Sequence, residues 1–345
     1  MNIATQHGTF RFEVKRFKGM VKGDSFLAQA GLCGEQGGYY SQGLRDFALE
    51  YCTKLSFAAT AKLIQRSCGG TSLSDQHLWN WVQQEGQAIS QQQQETIAAF
   101  ESSQAKVGLE WVDIYAKEGE EIIYLSDDVC VKEQKPKRDK TLKTKNKRCN
   151  TRISMFSLPE QKYHTLVAGF GIDNLALVQA CLWEQYPQKI DKLPIVAITD
   201  GATSIKNEIK AAFGEGCIHI LDWYHLEKKV YETMSMIAYK AEKQHYCQEI
   251  LQLLWKGKGA EAIGYLQQIS PKNKPSQEML LTYLTKNQAS IINYEKRKEV
   301  GKTIGSGRGE KQNDIIVAQR QKYNGMAWSP NGSLAMALNT ANKIP

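Results

Sequence analysis

The chain has 345 residues, of which 42% are apolar, and a net charge of +8. This length and composition predict a soluble globular protein of two or three domains, and they exclude a disordered or fibrous chain. No apolar run approaches the roughly 20 residues that span a bilayer, and no secretion signal begins the chain, so we expect a cytoplasmic protein without membrane association. The eight cysteines form no CxxC pair, which predicts reduced thiols.

Residues 1–38 are predicted to form a short amino-terminal arm, with an alternating strand or hairpin at 9–17. From Tyr40 the apolar spacing becomes helical, with a break near Lys54. A second helix is capped by Ser56 and ends near Cys68, and a third is capped by Ser74 and runs to about Gln84. The glutamine-rich stretch at 90–96 predicts a helical extension or a linker.

The second and third helices, joined by a glycine-containing turn, are typical of a helix-turn-helix, which places residues 39–100 in a DNA-binding region. The third helix would enter the major groove, with Gln76, His77 and Asn80 as the residues facing the bases. The alternative is a helical hairpin that binds no DNA, and these residues alone do not choose between the two.

The positive charge is concentrated between Lys132 and Arg152, a segment that contains ten basic and two acidic residues and so has a net charge of +8. Such a segment favours phosphate contacts with double-stranded DNA, although a solvated basic loop is the alternative. The residues expected to contact phosphate, together with Arg152, are Lys132, Lys135, Lys137, Arg138, Lys140, Lys143, Lys145, Lys147 and Arg148.

Residues 101–225 alternate short apolar runs with one clear helical pattern, Leu175 to Tyr186. Three successive strands, then helix, strand, helix and strand, predict an α/β fold with a mixed sheet and helices on both faces, the order found in ribonuclease-H-like folds. The predicted strands are Glu121–Val131, Arg152–Leu158, Tyr163–Phe170, Leu193–Thr199 and Cys217–Leu221. Residues 226–300 have helical spacing and predict an all-helical insertion; residues 301–345 return to the core with a final helix from Arg308 to near Gly325.

Carboxylates follow two apolar runs: Asp127 and Asp128 come after Glu121 to Leu125, and Asp200 comes after Leu193 to Ile198. Glu310 opens the final helix after a glycine-rich turn. Three acidic side chains from separate elements are suited to hold two divalent ions for phosphoryl transfer. Asp127, Asp200 and Glu310 are therefore the predicted metal ligands and catalytic residues. The predicted cofactor is two Mg²⁺ ions, for which Mn²⁺ can substitute. Only one of Asp127 and Asp128 can face the site; Asp127 is preferred, with Asp128 in a supporting role.

Asp222 and His225 follow the fifth strand and are predicted supporting residues. Asp222 is also a good N-cap for the helix that starts at Trp223, which needs no catalytic role. Cys217 and His219 raise a zinc site as a further alternative, although four ligands within nine residues of a strand fit a tetrahedral site poorly.

Three segments together resemble the DDE transposases of bacterial insertion sequences, close to the Kra-type group and related to the Mutator-like superfamily. They are IleThrAspGlyAla at 198–202, CysIleHisIleLeuAspTrpTyrHisLeu at 217–226, and GlySerGlyArgGlyGlu at 305–310 followed by ArgGlnLysTyrAsnGlyMetAlaTrpSer at 320–329. The resemblance extends over about residues 40–340. It implies that Asp127, Asp200 and Glu310 form the catalytic triad and that Asp222 and His225 form an Asp-x-x-His signature. It also implies an insertion domain after His225, and Trp328 matches a tryptophan common near the end of these proteins.

The expected function is therefore metal-dependent DNA cleavage and strand transfer at insertion-sequence ends by a nucleoid-associated enzyme. Cutting two ends makes a homodimer plausible, and no small-molecule substrate is expected. Two alternatives stay open: a structure-selective nuclease on the same fold, and an inactive transposase relic that only binds DNA.

Overall fold

The computed structural model of the protein describes residues 2–11, 16–18, 25–27, 40–135, 147–158, 163–167, 174–323 and 326–343. The chain divides into two compact units. The first unit comprises Met1–Gln92, Cys130–Thr151 and Asp314–Pro345, and the second comprises Gln93–Val129 and Arg152–Asn313.

The first unit begins with two short antiparallel pairs, β1 (Asn2–Thr5) with β2 (Gly8–Arg11) and β3 (Arg16–Lys18) with β4 (Ser25–Leu27). The alternating run predicted as a strand at 9–17 therefore contributes to two strands, and residues 12–15 lie outside the described part of the chain.

Serine side chains cap the three helices that follow, and the sequence predicts two of these caps, Ser56 and Ser74. In α1 (Gln42–Cys52), Ser41 accepts a hydrogen bond from the backbone N of the third helical residue, and Ser56 does the same in α2 (Phe57–Ser67). At the start of α3 (Asp75–Ser103), Ser74 accepts a hydrogen bond from His77 N at 3.2 Å. The helix α3 has 29 residues and passes the predicted end near Gln84, because the glutamine-rich stretch continues it.

The helix predicted from Arg308 to near Gly325 is present, as an α-helix that continues into a π-helix. The helix α11 (Gly307–Asn313) is followed directly by a π-helix (Asp314–Lys322). A helix absent from the prediction then follows, α12 (Pro330–Ala341), capped by Ser329 with proline at its first turn. Within the first unit, α12 approaches α3 closely at Gly86, where an added Cβ would lie 2.7 Å from the Cβ of Ala335.

A five-stranded mixed sheet has the spatial order β7, β6, β5, β8, β9. Its strands are β5 (Ile122–Lys132), β6 (Arg148–Ser157), β7 (Tyr163–Val167), β8 (Ile195–Thr199) and β9 (Ile218–Leu221). The strands β5, β8 and β9 are parallel to one another, and β6 and β7 are antiparallel to each other. All five predicted strands are present; β6 starts four residues earlier than expected, because exposed Arg148 and Asn150 alternate with buried Cys149 and Thr151. Residues 168–170 of the predicted third strand lie outside the described part of the chain.

Alternate side chains of the sheet enter two separate cores in the second unit, as the period of two along a strand requires. Ile122 and Tyr124 of β5 pack with α4 (Asn174–Gln185) and α5 (Thr203–Phe213). Ile123 and Leu125 belong to the core formed with the helical block. That block contains α6 (Trp223–Ile237), α7 (Lys240–Trp255), α8 (Gly259–Gln268), α9 (Lys274–Asn287) and α10 (Tyr294–Glu299). Helices therefore cover both faces of a mixed sheet, as predicted.

No helix in the described part of the chain is long and apolar enough to cross a membrane. The seven cysteines of the described residues are all free thiols; Cys33 lies outside them.

Candidate active site

Three aspartates lie at the carboxyl edge of the three parallel strands of the second unit. Leu125 pairs with Ile198, and Thr199 pairs with Leu221. When this register is continued past the ends of β8 and β9, Asp127 comes opposite Asp200, and Asp200 comes opposite Asp222. Asp127 lies within β5, which continues to Lys132, and not at a strand end as the sequence predicted. Neighbouring strands are about 4.8 Å apart, so the register alone brings the three carboxylates to one edge.

The adjacent residues Asp127 and Asp128 have different partners. Asp127 Oδ2 accepts a hydrogen bond from Asn313 Nδ2 at 2.7 Å. Burial raises the pKa of Asp127, and the nearby charge of Asp200 raises it further. Asp128 instead binds Arg152 through two hydrogen bonds of 2.6 and 2.7 Å. Asp127 therefore faces Asp200, whereas Asp128 is engaged by Arg152.

Asp200 follows β8 in a tight turn that leads into α5. Its Oδ1 accepts a hydrogen bond from Ala202 N at 2.8 Å. Gly201 has a φ of +82°, and an added Cβ there would lie 2.6 Å from Asn287 Oδ1 and 2.7 Å from Leu221 Cδ1. Only glycine fits this turn, which fixes where the Asp200 carboxylate leaves the strand.

Asp222 is 1% exposed and joins two helices. Its Oδ1 accepts hydrogen bonds from Tyr224 N at 2.7 Å and His225 N at 3.1 Å, which caps α6. Its Oδ2 accepts hydrogen bonds from the backbone N and the Oγ of Ser306, the residue before α11. Burial opposes the ionisation of Asp222, but the hydrogen bonds from His225 and Ser306 outweigh it and lower the pKa of this carboxyl. Asp222 thus fixes the start of the helix that carries Glu310.

His225 lies between two carboxylates. Its Nδ1 is 3.4 Å from Asp222 Oδ2, and its Nε2 is 3.3 Å from Glu310 Oε1. The Asp222 carboxylate beside Nδ1 raises the pKa of His225, and the charges of Glu310 and Asp200 act in the same direction. The imidazole is therefore held in an orientation that contacts Glu310.

The three predicted metal ligands do not converge on one point. Asp127 and Asp200 repel each other through their charges, which a divalent cation would relieve, and both supply the oxygen donors that Mg²⁺ prefers. Glu310 is 54% exposed at its side chain and contacts His225 instead. Among the described residues, no group of three or more His, Cys, Asp or Glu side chains is placed to hold a metal ion. Asp127 and Asp200 fit a cation in chemistry and charge; Glu310 does not join them in this structure.

The zinc alternative is contradicted at its histidine. Both ring nitrogens of His219 are already hydrogen-bonded, to Thr199 Oγ1 at 2.8 Å and Ser290 Oγ at 2.7 Å. Burial raises the pKa of the Cys217 thiol to about 12, which disfavours the thiolate that zinc requires.

One predicted DNA-reading residue of the first unit points inward. The His77 ring packs against Tyr40 and Trp81, with centroid distances of 4.8 and 4.5 Å. His77 and Trp81 are four residues apart on α3 and therefore share its packed side, which corrects the expectation that His77 faces outward. Gln76 and Asn80 are exposed and hydrogen-bonded to each other at 3.0 Å.

Of the predicted phosphate-contacting residues, five lie outside the described residues: Lys137, Arg138, Lys140, Lys143 and Lys145. Lys132, Lys135, Lys147 and Arg148 are described and belong to the first unit. Arg152 differs from the expectation, because its guanidinium is bound by Asp128 and Glu208 and its side chain is only 15% exposed.

Sequence reasoning missed Asn313 and Ser306, which hold Asp127 and Asp222. Asn313 lies one helical turn after Glu310, so its position on the same face of α11 was the available signal. Ser306 gave no comparable signal, because its role depends on a contact 84 residues away.

The sequence matches no protein-family model and no curated protein. Among solved structures, the chain is similar to the Drosophila P element transposase strand transfer complex, with a TM-score of 0.29 and 10% sequence identity over 90% of this chain and 80% of that chain.

Proposed function

We propose that the protein is a DDE-type DNA transposase that cleaves the phosphodiester at the ends of an insertion sequence and transfers the freed 3′ hydroxyl to target DNA. The observation that carries the proposal is the alignment of Asp127, Asp200 and Asp222 at one edge of the parallel strands, with His225 between Asp222 and Glu310. The strand order of third, second, first, fourth, fifth supports a ribonuclease-H-like core. The motifs around Asp200, Asp222 and Glu310 support the bacterial insertion-sequence group that they resemble.

Asp127, Asp200 and Glu310 are the proposed ligands of divalent cations. Two bound Mg²⁺ or Mn²⁺ ions would activate the attacking oxygen and stabilise the leaving oxygen. Asn313 orients Asp127 through its 2.7 Å hydrogen bond, and Gly201 fixes the turn that presents Asp200. Glu310 lies one turn before Asn313 on α11, and Asp222 and His225 hold that helix and its glutamate.

Double-stranded DNA is the proposed partner, both as element ends and as target. Exposed Gln76 and Asn80 on α3 are the proposed base contacts, and the basic residues of the first unit are the proposed phosphate contacts. A homodimer is proposed because two ends must be cut in one reaction.

The test uses labelled DNA that carries the flanking ends of the encoding gene, incubated with Mg²⁺ or Mn²⁺. We expect wild type to cleave and join strands, and Asp200→Asn to lose both activities while it retains DNA binding. Asp191→Asn is the matched control, because Asp191 is exposed and precedes β8 at the opposite edge of the sheet. Joining by Asp200→Asn would contradict the site assignment, and cleavage without joining, even from a pre-cut 3′ end, would identify a nuclease.

A DNA-binding relic is the second candidate, favoured by the engagement of Glu310 with His225 and by the lack of a three-residue metal group among the described residues. It predicts binding that does not depend on metal and no cleavage with either ion. Cleavage by wild type with Mg²⁺ or Mn²⁺ would exclude it.

A further inference from the structure

A cavity of about 420 Å³ in the first unit is lined by aromatic side chains of three different segments. They are Phe57 at the start of α2, Trp79 on α3 and Trp328 just before α12. Trp79 is 38% exposed, so the wall that it forms is accessible from solvent. The volume lies within the range of small-ligand sites, and flat aromatic walls suit a planar ring.

A buried arginine with a free donor forms another part of the same cavity. Arg320 is 2% exposed, and its guanidinium lies 5.4 Å from the Phe57 ring centre and 5.1 Å from that of Trp328. Its Nε donates to Cys52 O at 2.8 Å, and Nη1 contacts Met326 Sδ at 3.5 Å. Nη2 has no hydrogen-bond partner among the described residues, and none of their carboxylates pairs with this guanidinium. The guanidinium therefore contributes a buried positive charge to the wall of the cavity.

A second concavity, of about 440 Å³, shares Met326 with the first and differs from it in charge. Among the described residues, its lining contains four basic side chains and no carboxylate: Lys132, Lys147, Arg148 and Lys322. Asp75, by contrast, lines the aromatic cavity. Phosphate is therefore favoured in the basic concavity and disfavoured beside Asp75, whereas a neutral ring that carries both acceptors and amino groups suits the aromatic one.

We propose that the two concavities together bind one unpaired nucleotide of DNA, with its base in the aromatic cavity and the adjoining phosphates in the basic one. The base stacks against Trp79, in the cavity whose wall also contains Arg320. The inference rests on DNA as the partner, as proposed above, but it needs no catalysis and no metal.

The experiment measures the affinity of the full chain, in EDTA, for a labelled duplex with one unpaired nucleotide and for the fully paired duplex. We expect wild type to prefer the unpaired nucleotide by about tenfold, the effect of one base stacked on aromatic side chains. Trp79→Ala should lose this preference and Trp79→Phe should retain most of it. Trp111→Ala is the matched control, because Trp111 is 81% exposed and lies outside the cavity. Equal affinity of wild type for both duplexes, or an unchanged preference in Trp79→Ala, would overturn the proposal.

Two further variants separate this site from general DNA binding and from the proposed reaction. Lys322→Ala should weaken binding of both duplexes and reduce the salt dependence, since it removes a phosphate contact but no stacking. Asp200→Asn should retain the preference for the unpaired nucleotide while it loses strand transfer. If wild type prefers the unpaired nucleotide but transfers no strands, the transposase proposal is refuted and the nucleotide site is supported. If wild type transfers strands but shows no such preference, the nucleotide site is refuted and the transposase proposal is supported.

Discussion

Replacing Asp222 with alanine removes one carboxylate that satisfies donors at the starts of two helices. Oδ1 caps α6, and Oδ2 binds the backbone N and the Oγ of Ser306 ahead of α11. Ser306 is itself buried, so its two donors would lose their acceptor where water does not replace it easily.

The expected loss follows from these contacts. Removal of a helix N-cap costs about 1 kcal/mol. A buried donor left without an acceptor costs about 1–3 kcal/mol, and Ser306 has two. We therefore expect Asp222→Ala to lower the free energy of unfolding by about 3–7 kcal/mol. Asp222→Asn should lose less, because one oxygen can still cap α6.

Urea unfolding followed by circular dichroism measures this loss, and Asn273→Ala provides the matched control. Asn273 caps α9 in the same unit by accepting one hydrogen bond from Ser276 N at 3.0 Å. Its replacement should cost only about 1 kcal/mol, since no second helix depends on it. Equal losses in Asp222→Ala and Asn273→Ala would refute the view that Asp222 fixes α11 as well as α6.

Three further changes test the second unit. Burial, then the charge of Lys206, lowers the pKa of His219 from 6.5 to about 4. Between these pH values the unfolded chain binds the proton and the folded chain does not, so the free energy of unfolding falls by about 3 kcal/mol as the pH is lowered from 6.5 to 4. Unfolding measured at several pH values should show that His219→Gln lacks this decrease. Gly201→Ala should destabilise by about 2–4 kcal/mol and Gly214→Ala by only about 1, because both have positive φ but only the added Cβ at Gly201 meets other atoms; equal losses in thermal unfolding would contradict this. Arg297→Met leaves the buried Glu121 side chain paired with Lys302 alone and should lower the free energy of unfolding by about 3–5 kcal/mol. Lys189→Met breaks the exposed pair with Glu120 and should change the free energy of unfolding by less than about 0.5 kcal/mol.

The sheet was predictable because its strands are short apolar runs whose side chains are buried on two faces. Leu193 to Thr199 and Cys217 to Leu221 give this signal directly, and parallel register then brings Asp200 and Asp222 to one edge. The caps at Ser56 and Ser74 were equally local, since each side chain binds a backbone N–H three residues away. The helix α12 had a comparable local signal, Ser329 followed by Pro330, which the prediction did not use.

The remaining features depend on contacts between distant residues, which no local pattern reports. Arg152 lies in a basic segment and was expected to contact phosphate, but Asp128 and Glu208 bind it. His77 is polar and was assigned to the outer side of its helix, but Tyr40 and Trp81 enclose its ring. The position of Glu310 likewise depends on His225, 85 residues earlier in the chain.

The neighbouring residues Asp127 and Asp128 provide the most direct test of the proposed site. Strand transfer from a pre-cut 3′ end with Mg²⁺ should be abolished in Asp127→Asn, whose carboxylate faces Asp200, and largely retained in Asp128→Asn, whose carboxylate binds Arg152. Both variants have the same change of side chain at adjacent positions, so a general loss of charge affects them alike. Loss of strand transfer in Asp128→Asn with retention in Asp127→Asn, or no strand transfer by wild type, would contradict the account.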